Sequence, residues 1–226
     1  MFVVIFEVQP KAERWEEYLS LAGQLRPELE KIAGFIDNER FRSERTEGRL
    51  LSLSTWTDEK AVVRWRTHGQ HHGVQERGRF EVFRDYHLRV GEVTADTHPP
   101  RGQRLLEQRL DETTVGSAKA LSITEVDPLS ADAPLIRDDV TMADRLNVPQ
   151  SNRDAVIDVE AYVGINVPSR TLLLVSWRDA ASVAAWRPPP ALNGAARVRH
   201  RRVRVVRDYG LSDRREAPQF YPAVAR

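Results

Sequence analysis

Residues 61–72 read AVVRWRTHGQHH, with one Trp, two Arg and three His in a dozen positions. Imidazole gains or loses a proton near neutral pH, so such a cluster can serve as a base, an acid or a ligand to haem iron. On one unbroken helix Ala61, Trp65, His68 and His72 would share a face. Gly69 makes that register uncertain, which leaves His71 and His72 as alternative partners of Trp65. Arg66 adds a cation beside them. The plainer reading is a solvated helix end with Trp65 as a core anchor. A second stretch, SVAAWRPPPALN at 182–193, repeats the frame and holds no histidine. Its three prolines cannot donate within a helix and end one soon after it starts. Chemistry is therefore expected in the first stretch and not in the second.

The elements that position these residues come from a repeat. LLSLSTWTDEKAVVRWR (50–66) aligns with TLLLVSWRDAASVAAWR (171–187), pairing Trp56 with Trp177, Asp58 with Asp179, and Trp65–Arg66 with Trp186–Arg187. FIDNERFRS (35–43) aligns with VIDVEAYVG (156–164), IFEVQP (5–10) with ITEVDP (123–128), and FRDYHL (83–88) with VRDYGL (206–211). The order is kept at a spacing of about 120 residues, which reads as two whole domains rather than a solenoid. The division is 1–95, a linker at 96–115, a second unit at 116–213 and a tail at 214–226. Within the linker RLLEQRLDE suits a short helix, and the proline-containing tail suits an extended wrap.

Each unit reads strand, helix, strand, strand, helix, strand. Residues 2–8 form a buried strand. Pro10 opens a helix whose apolar residues run from Trp15 to Ile32, with Pro27 kinking or splitting it and Gly34 ending it. Strands follow at 35–43 and 49–56. Thr57 then caps a helix over 58–68, and a long strand covers 79–90. In that strand Phe80, Val82, Tyr86 and Leu88 point one way and Phe83 the other. The order predicts an α+β fold of two ferredoxin-like repeats. Apolar residues on both faces of the last strand predict that the two sheets pack together as an intrachain pseudo-dimeric α+β barrel.

Composition excludes several functions. With no cysteine, disulfides, thiolate nucleophiles and Cys-ligated metals are ruled out, and no metal site is expected. A net charge of +1 argues against nucleic acid as a partner. No apolar run approaches the roughly 20 residues of a membrane span, and MFVVIFEVQP reads as a strand rather than a signal peptide. A cytoplasmic setting follows. The basic run RVRHRRVRVVR (197–207) alternates as a strand with one solvated charged face does; contact with an anionic ligand is the alternative.

GFIDNERF, LLSLSTWTDEKAVVRWR, QHHGVQERGR and FRDY together resemble the antibiotic biosynthesis monooxygenase (ABM) family of the dimeric α+β barrel superfamily. The resemblance is close over 1–92 and weaker over 118–212. It implies a pocket between sheet and helices in each unit, bordered by Trp65, and a histidine at His71. It implies that two copies of a homodimeric barrel became one chain, so that the protein is a monomer as a pseudo-dimer, or a homodimer. The activity implied is that of a monooxygenase that needs no cofactor and oxidises an aromatic or phenolic, polyketide-like molecule with O₂. Trp65, Arg66 and either His71 or His72 would be the catalytic group. Asn38 and Arg40, taken to alternate with Ile36, would face the substrate; Val159 and Ala161 replace them in the second unit. Tyr86 is a further substrate contact, although its recurrence as Tyr209, and that of Arg84 as Arg207, favours a structural brace. Haem binding or haem degradation is the alternative, with Phe6 and Glu7 standing where haem-degrading members have an Asn. A non-enzymatic ligand-binding barrel is the other. At most one site is expected to work.

Overall fold

The computed structural model describes residues 1–130, 136–149, 154–193 and 195–218. The first unit comprises β1 (Phe2–Pro10), α1 (Trp15–Glu30), β2 (Phe35–Ser43), β3 (Leu50–Trp56), α2 (Glu59–Arg66), α3 (Gly69–Arg77) and β4 (Phe83–Asp96). The second comprises β5 (Ala120–Pro128), α4 (Asp139–Arg145), β6 (Val156–Gly164), β7 (Thr171–Trp177), α5 (Ala180–Ala185) and β8 (Ala195–Gly210). All eight strands form one closed barrel in the order β1-β3-β2-β6-β7-β5-β8-β4. β2 joins β6 over a short ladder, Phe41 to Ser43 against Gly164 to Tyr162. β4 joins β8 over a long one, from His87↔Gly210 to Asp96↔Arg201. No helix among the described residues is long and apolar enough to cross a membrane.

Strand alternation decides what lies on each side of the wall. Met1 and, on β1, Val3 and Ile5 enter the barrel interior, where they meet Leu121, Ile123 and Leu174 of the second unit. Phe2 faces the other way and packs with Leu29, Ala61 and Val62 of the helices. Both cores are thus built from the same strands, one residue out of phase.

Several local expectations need correction. Pro10 ends β1, and a short 3-10 turn at Ala12–Arg14 precedes α1. α1 runs unsplit through Pro27 to Glu30. Gly34 adopts φ +92°, and a Cβ there would lie 2.6 Å from both Ala61 Cβ and Thr57 Oγ1, so glycine is needed for the approach of α2. The cap of α2 is Asp58, whose Oδ1 accepts from Ala61 N at 2.8 Å. Asp179 repeats this on Ser182 N at 2.7 Å. A π-helical turn at Gly78–Val82 precedes β4, so Phe80 is 69% exposed and Phe83 packs with Phe6, Tyr18 and Tyr86. The expected linker helix does not form. The Glu92 carboxylate instead accepts the backbone N–H groups of Gln108 and Arg109, donors that a helix would use internally. Residues 219–226 of the tail lie outside the described residues.

Two more corrections concern charge and register. The basic run is not a strand with a solvated face: Arg199 and Arg201 are buried inside the barrel, and Arg201 is 1% exposed. Arg201 Nη2 donates to Glu125 at 3.1 Å and its Nη1 reaches Thr55 of the first unit at 3.3 Å. Arg89 does the same in reverse, donating to Glu7 at 2.5 Å and to Ser176 of the second unit at 2.8 Å. The true counterpart of Arg89 is therefore Arg201. Pairing of Pro10 with Phe83 and of Pro128 with Ala195 fixes the same register. FRDY and VRDY are not equivalent positions, and the match between Tyr86 and Tyr209 is a coincidence of sequence.

Burial would raise the Glu7 carboxyl. The Arg89 guanidinium, His87 and the Tyr162 hydroxyl, which donates to Glu7 Oε1 at 2.8 Å, outweigh that and hold it below the usual range. Its contribution to stability is present above the unfolded carboxyl pKa and is lost as pH falls through the lowered folded value. Arg89→Met, which strands this carboxylate, should destabilise the protein by about 3–5 kcal/mol. Denaturant unfolding at neutral pH should show that loss, and the double variant Glu7→Leu/Arg89→Met should recover most of it.

Candidate active site

α2 and α3 are separated by two residues. Thr67 closes α2, and His68, extended at φ −64° and ψ 128°, begins α3. The break folds α3 back so that the His71 ring lies flat on Trp65, with centroids 4.1 Å apart and planes 16° apart. The Trp65 carbonyl belongs to the last turn of α2, where carbonyls lack helical partners. It accepts from His68 N at 3.1 Å and meets His71 Nδ1 at 3.0 Å. A carbonyl cannot donate, so Nδ1 carries the hydrogen and the neutral ring keeps its lone pair on Nε2. Burial depresses the His71 pKa to about 4, with His68 and His72 adding to the depression and the Trp65 carbonyl opposing it. At neutral pH His71 is an uncharged base.

This pair borders a cavity of about 650 Å³ between the sheet and the helices of the first unit. The volume lies within the range of small-molecule sites. Trp65, Arg66, His71, His72, Asn38, Arg40 and Tyr86 all line it. The structure thus brings together every site residue that the sequence suggested, and both histidines border the same space. Asn38 and Arg40 do not share a side with Ile36. A bulge between Phe35 and Asp37 reverses the alternation, so Ile36 packs toward the barrel interior while Asn38 and Arg40 face the cavity. Asn38 Nδ2 donates to Ser52 Oγ at 2.9 Å, which holds it against the sheet, and Arg40 Nη2 donates to the Ala22 carbonyl at 3.3 Å, which ties it to α1. Val4, Phe6, Leu25 and Leu29 supply apolar walls.

Residues that sequence reasoning did not assign to the site come from the far end of the chain. Arg207, Tyr209, Arg214 and Pro218 line the same cavity. Arg214 Nη1 donates to the Tyr86 hydroxyl at 2.5 Å, so Tyr86 is both a wall and an anchor. The false match of VRDY to FRDY concealed them by making Tyr209 look like a structural repeat.

The corresponding space in the second unit is packed. Met142, Leu146, Val183 and Trp186 form one buried cluster. Trp186 turns its backbone to extended form after α5 and donates Nε1 to the Leu146 carbonyl at 2.9 Å. Pro188–Pro190 follow without regular structure, and among the described residues nothing corresponds to α3. His200 is buried against Thr124, at 2.9 Å, and the Pro189 carbonyl, at 3.0 Å.

Comparison with known proteins agrees with this architecture. The sequence pattern of the antibiotic biosynthesis monooxygenase family matches residues 1–77. A jasmonate monooxygenase, ABM, from Pyricularia oryzae is 39% identical over 229 residues, spanning 100% of both chains. The chain belongs to the antibiotic biosynthesis monooxygenase family. With membership comes the class of activity, a monooxygenase among the oxidoreductases. YqjZ, an uncharacterised protein of Bacillus subtilis, is 33% identical over 60 residues, covering 26% of this chain and 51% of that protein. Among solved structures, an aldoxime dehydratase in complex with butyraldoxime superposes with a TM-score of 0.58 at 11% identity, covering 94% of this chain and 80% of that one. At that identity the likeness speaks for the fold alone.

The depressed His71 pKa has a measurable consequence. The unfolded chain takes up this proton near pH 6.5 and the folded chain near pH 4, so stability falls as pH drops through that window. His71→Asn should flatten the pH dependence of unfolding between those limits, and the His71 ring should titrate near pH 4 by NMR. A normal titration near 6.5 would mean that the ring is not enclosed as described.

Proposed function

We propose that this monooxygenase acts on a small acid with a flat or cyclic apolar body and an ionisable C–H or O–H, held against Trp65 with its reactive position at His71 Nε2. The full-length relative named for jasmonate suggests an oxylipin of that kind, a carboxylic acid carrying a ring ketone. A phenolic or anthrone-like ring meets the same demands. The observation that carries this reading is the Trp65–His71 stack: a flat aromatic platform beside a neutral imidazole of fixed tautomer at the cavity wall, a weak base that can accept a proton and must pass it on.

His71 removes the proton and an enolate or phenolate forms. Arg66 and Arg40 stand around the cavity to steady the oxyanion, while Asn38, whose amide hydrogens go to Ser52 Oγ and the Leu53 carbonyl, serves as a polar wall. His72 borders the same space and can relay the proton onward. The electron-rich anion passes one electron to O₂, the radical pair combines to a hydroperoxide, and loss of water leaves a new carbonyl. A CH₂ group becomes C=O, one oxygen atom enters the product and the other leaves as water. The electrons come from the substrate, so metal and flavin are not required. Hydroxylation of a saturated carbon would instead require a two-electron donor such as a reduced nicotinamide.

Haem is a second reading, favoured by one feature. An Nδ1–H tied to a carbonyl is how iron-ligating histidines are oriented, and Nε2 of His71 would hold the metal. Bound haem would supply oxygen activation driven by an external electron donor. A haemin titration that yields a Soret band, lost in His71→Ala, would support it.

Oxygen consumption with jasmonic acid and with anthrone, each with and without NADPH, tests the main reading. Turnover should proceed without NADPH and give products with one oxygen gained and two hydrogens lost. His71→Ala should lower kcat/KM about 10²–10⁴-fold. In the parent enzyme the acid limb of kcat/KM should lie near pH 4. Absolute dependence on NADPH, or full activity in His71→Ala, would overturn the proposed chemistry.

A further inference from the structure

The cavity of the first unit is completed by the second. β8 is the longest strand, and its final residues leave their own unit to pair with β4. A register shift opposite Val90 and Gly91 turns that end, placing Arg207 beside Val90 and Tyr209 beside Leu88, on the helix side of the first sheet. The chain then folds back. Gly210 N donates to the Asp213 carbonyl at 2.8 Å, and Leu211 N donates to the Tyr86 carbonyl at 3.1 Å. Glu216 locks the segment by accepting from Thr114 N at 2.7 Å and from Asp208 N at 2.8 Å. Arg214 is held over the cavity, with its guanidinium 5.8 Å from the Tyr209 ring centroid and bonded to Tyr86.

Arg207 and Arg214 make no salt bridge among the described residues. The nearby carboxylates are engaged elsewhere. Glu59 pairs with Arg109 at 2.8 Å, Asp111, which feels the charge of Arg207, pairs with Arg109 as well, Asp208 pairs with His87 at 2.6 Å and Asp213 with Arg215 at 2.5 Å. Asp85 accepts from Tyr86 N at 2.9 Å, and Glu76, exposed on α3, also lines the cavity. Burial depresses the Arg66 guanidinium and the charge of Arg207 adds to that, while Tyr209 and Glu59 oppose it. The cavity lining holds six arginines, Arg26, Arg40, Arg66, Arg79, Arg207 and Arg214, against two carboxylates, Glu59 and Glu76, and a bound anion would offset that excess of positive charge.

We propose that Arg207 and Arg214, delivered by the second unit, form with Tyr86 an anion subsite that grips the substrate carboxylate and so sets which end of the substrate reaches His71. The subsite deepens the functional reading above and rests on it for the identity of the substrate. It gives the second unit, whose own α-side space is filled, a direct part in recognition. The two arginines are specificity residues; the proton chemistry stays with His71.

Binding separates the two questions. Jasmonic acid and its methyl ester, and 2-naphthylacetic acid and its methyl ester, are titrated calorimetrically into the full chain. The parent protein should prefer the acid of a pair by tenfold or more. Arg207→Gln and Arg214→Gln should each weaken the acid by about 10- to 100-fold and leave the ester unchanged, and the Lys variants should recover part of the loss. Circular dichroism and thermal melting report whether each variant folds, and the Lys variants carry the test where a Gln variant does not. If the naphthyl acid is favoured through these arginines while neither jasmonate compound binds, the oxylipin substrate falls and the subsite stands. Equal binding of acid and ester in the parent protein, or equal weakening of both in the variants, would overturn the subsite.

Discussion

Two buried ion pairs hold the barrel closed. Glu7 with Arg89 and Glu125 with Arg201 each join neighbouring strands of one unit, and each arginine spends a second donor across the interior, on Ser176 and on Thr55. Burying such charges is costly unless every group finds its partner. Both terminal nitrogens of each guanidinium find partners only when the two sheets close in one register, although Nε of Arg89 and of Arg201 stays buried without one. An apolar interior such as that of Val3, Leu53, Leu121 and Leu174 would tolerate sliding of one sheet on the other. The charged pairs would not. The units therefore behave as halves of one structure, even though each has the strand order of an independent ferredoxin-like domain.

Closure leaves two α-side spaces with different fates. Both units share the tryptophan at the end of the third strand, the aspartate cap and the short helix that follows. They part company directly after Trp65 and Trp186. In the first unit the chain continues through Thr67 and His68 into a second helix, which lifts His71 onto Trp65 and leaves a hollow beneath. In the second unit the prolines forbid that helix, and Trp186 drops onto Trp177 with its N–H on the Leu146 carbonyl. The aromatic that walls a pocket in one copy fills the corresponding space in the other.

The repeat and the site cluster were legible for a physical reason. Trp56, Asp58 and Trp65 answer to local rules of capping and core packing, and these leave the same residue types at the same spacing in both copies. The elements were legible where periodicity is strong, as in β1 and α1. Three things were not. Bulges at Phe35–Asp37 and near Val206 reverse the inside–outside alternation, and no residue pattern announces them. The linker 104–112 has a helical pattern, yet Glu92 captures its backbone N–H groups, a tertiary bond that the local sequence cannot reveal. The basic run of β8 looked solvated because its partners, Glu125 and Asp96, lie about 75 and 100 residues away in sequence.

The misleading match of VRDY to FRDY shows how function and symmetry interact in this chain. Strict symmetry would place the counterpart of Tyr86 on the early part of β8, beside its own sheet. The tyrosine that resembles it instead lies at the far end of β8, beyond the point where that strand still serves its own unit. Its place beside Leu88 depends on β4 and β8 being paired, and that pairing depends on closure of the barrel. Tyr209 and Arg207 consequently reach the first cavity only in the closed form. The polar character of the cavity is set by interactions on the opposite side of the barrel wall, inside it, where Arg89 and Arg201 fix how the two units meet.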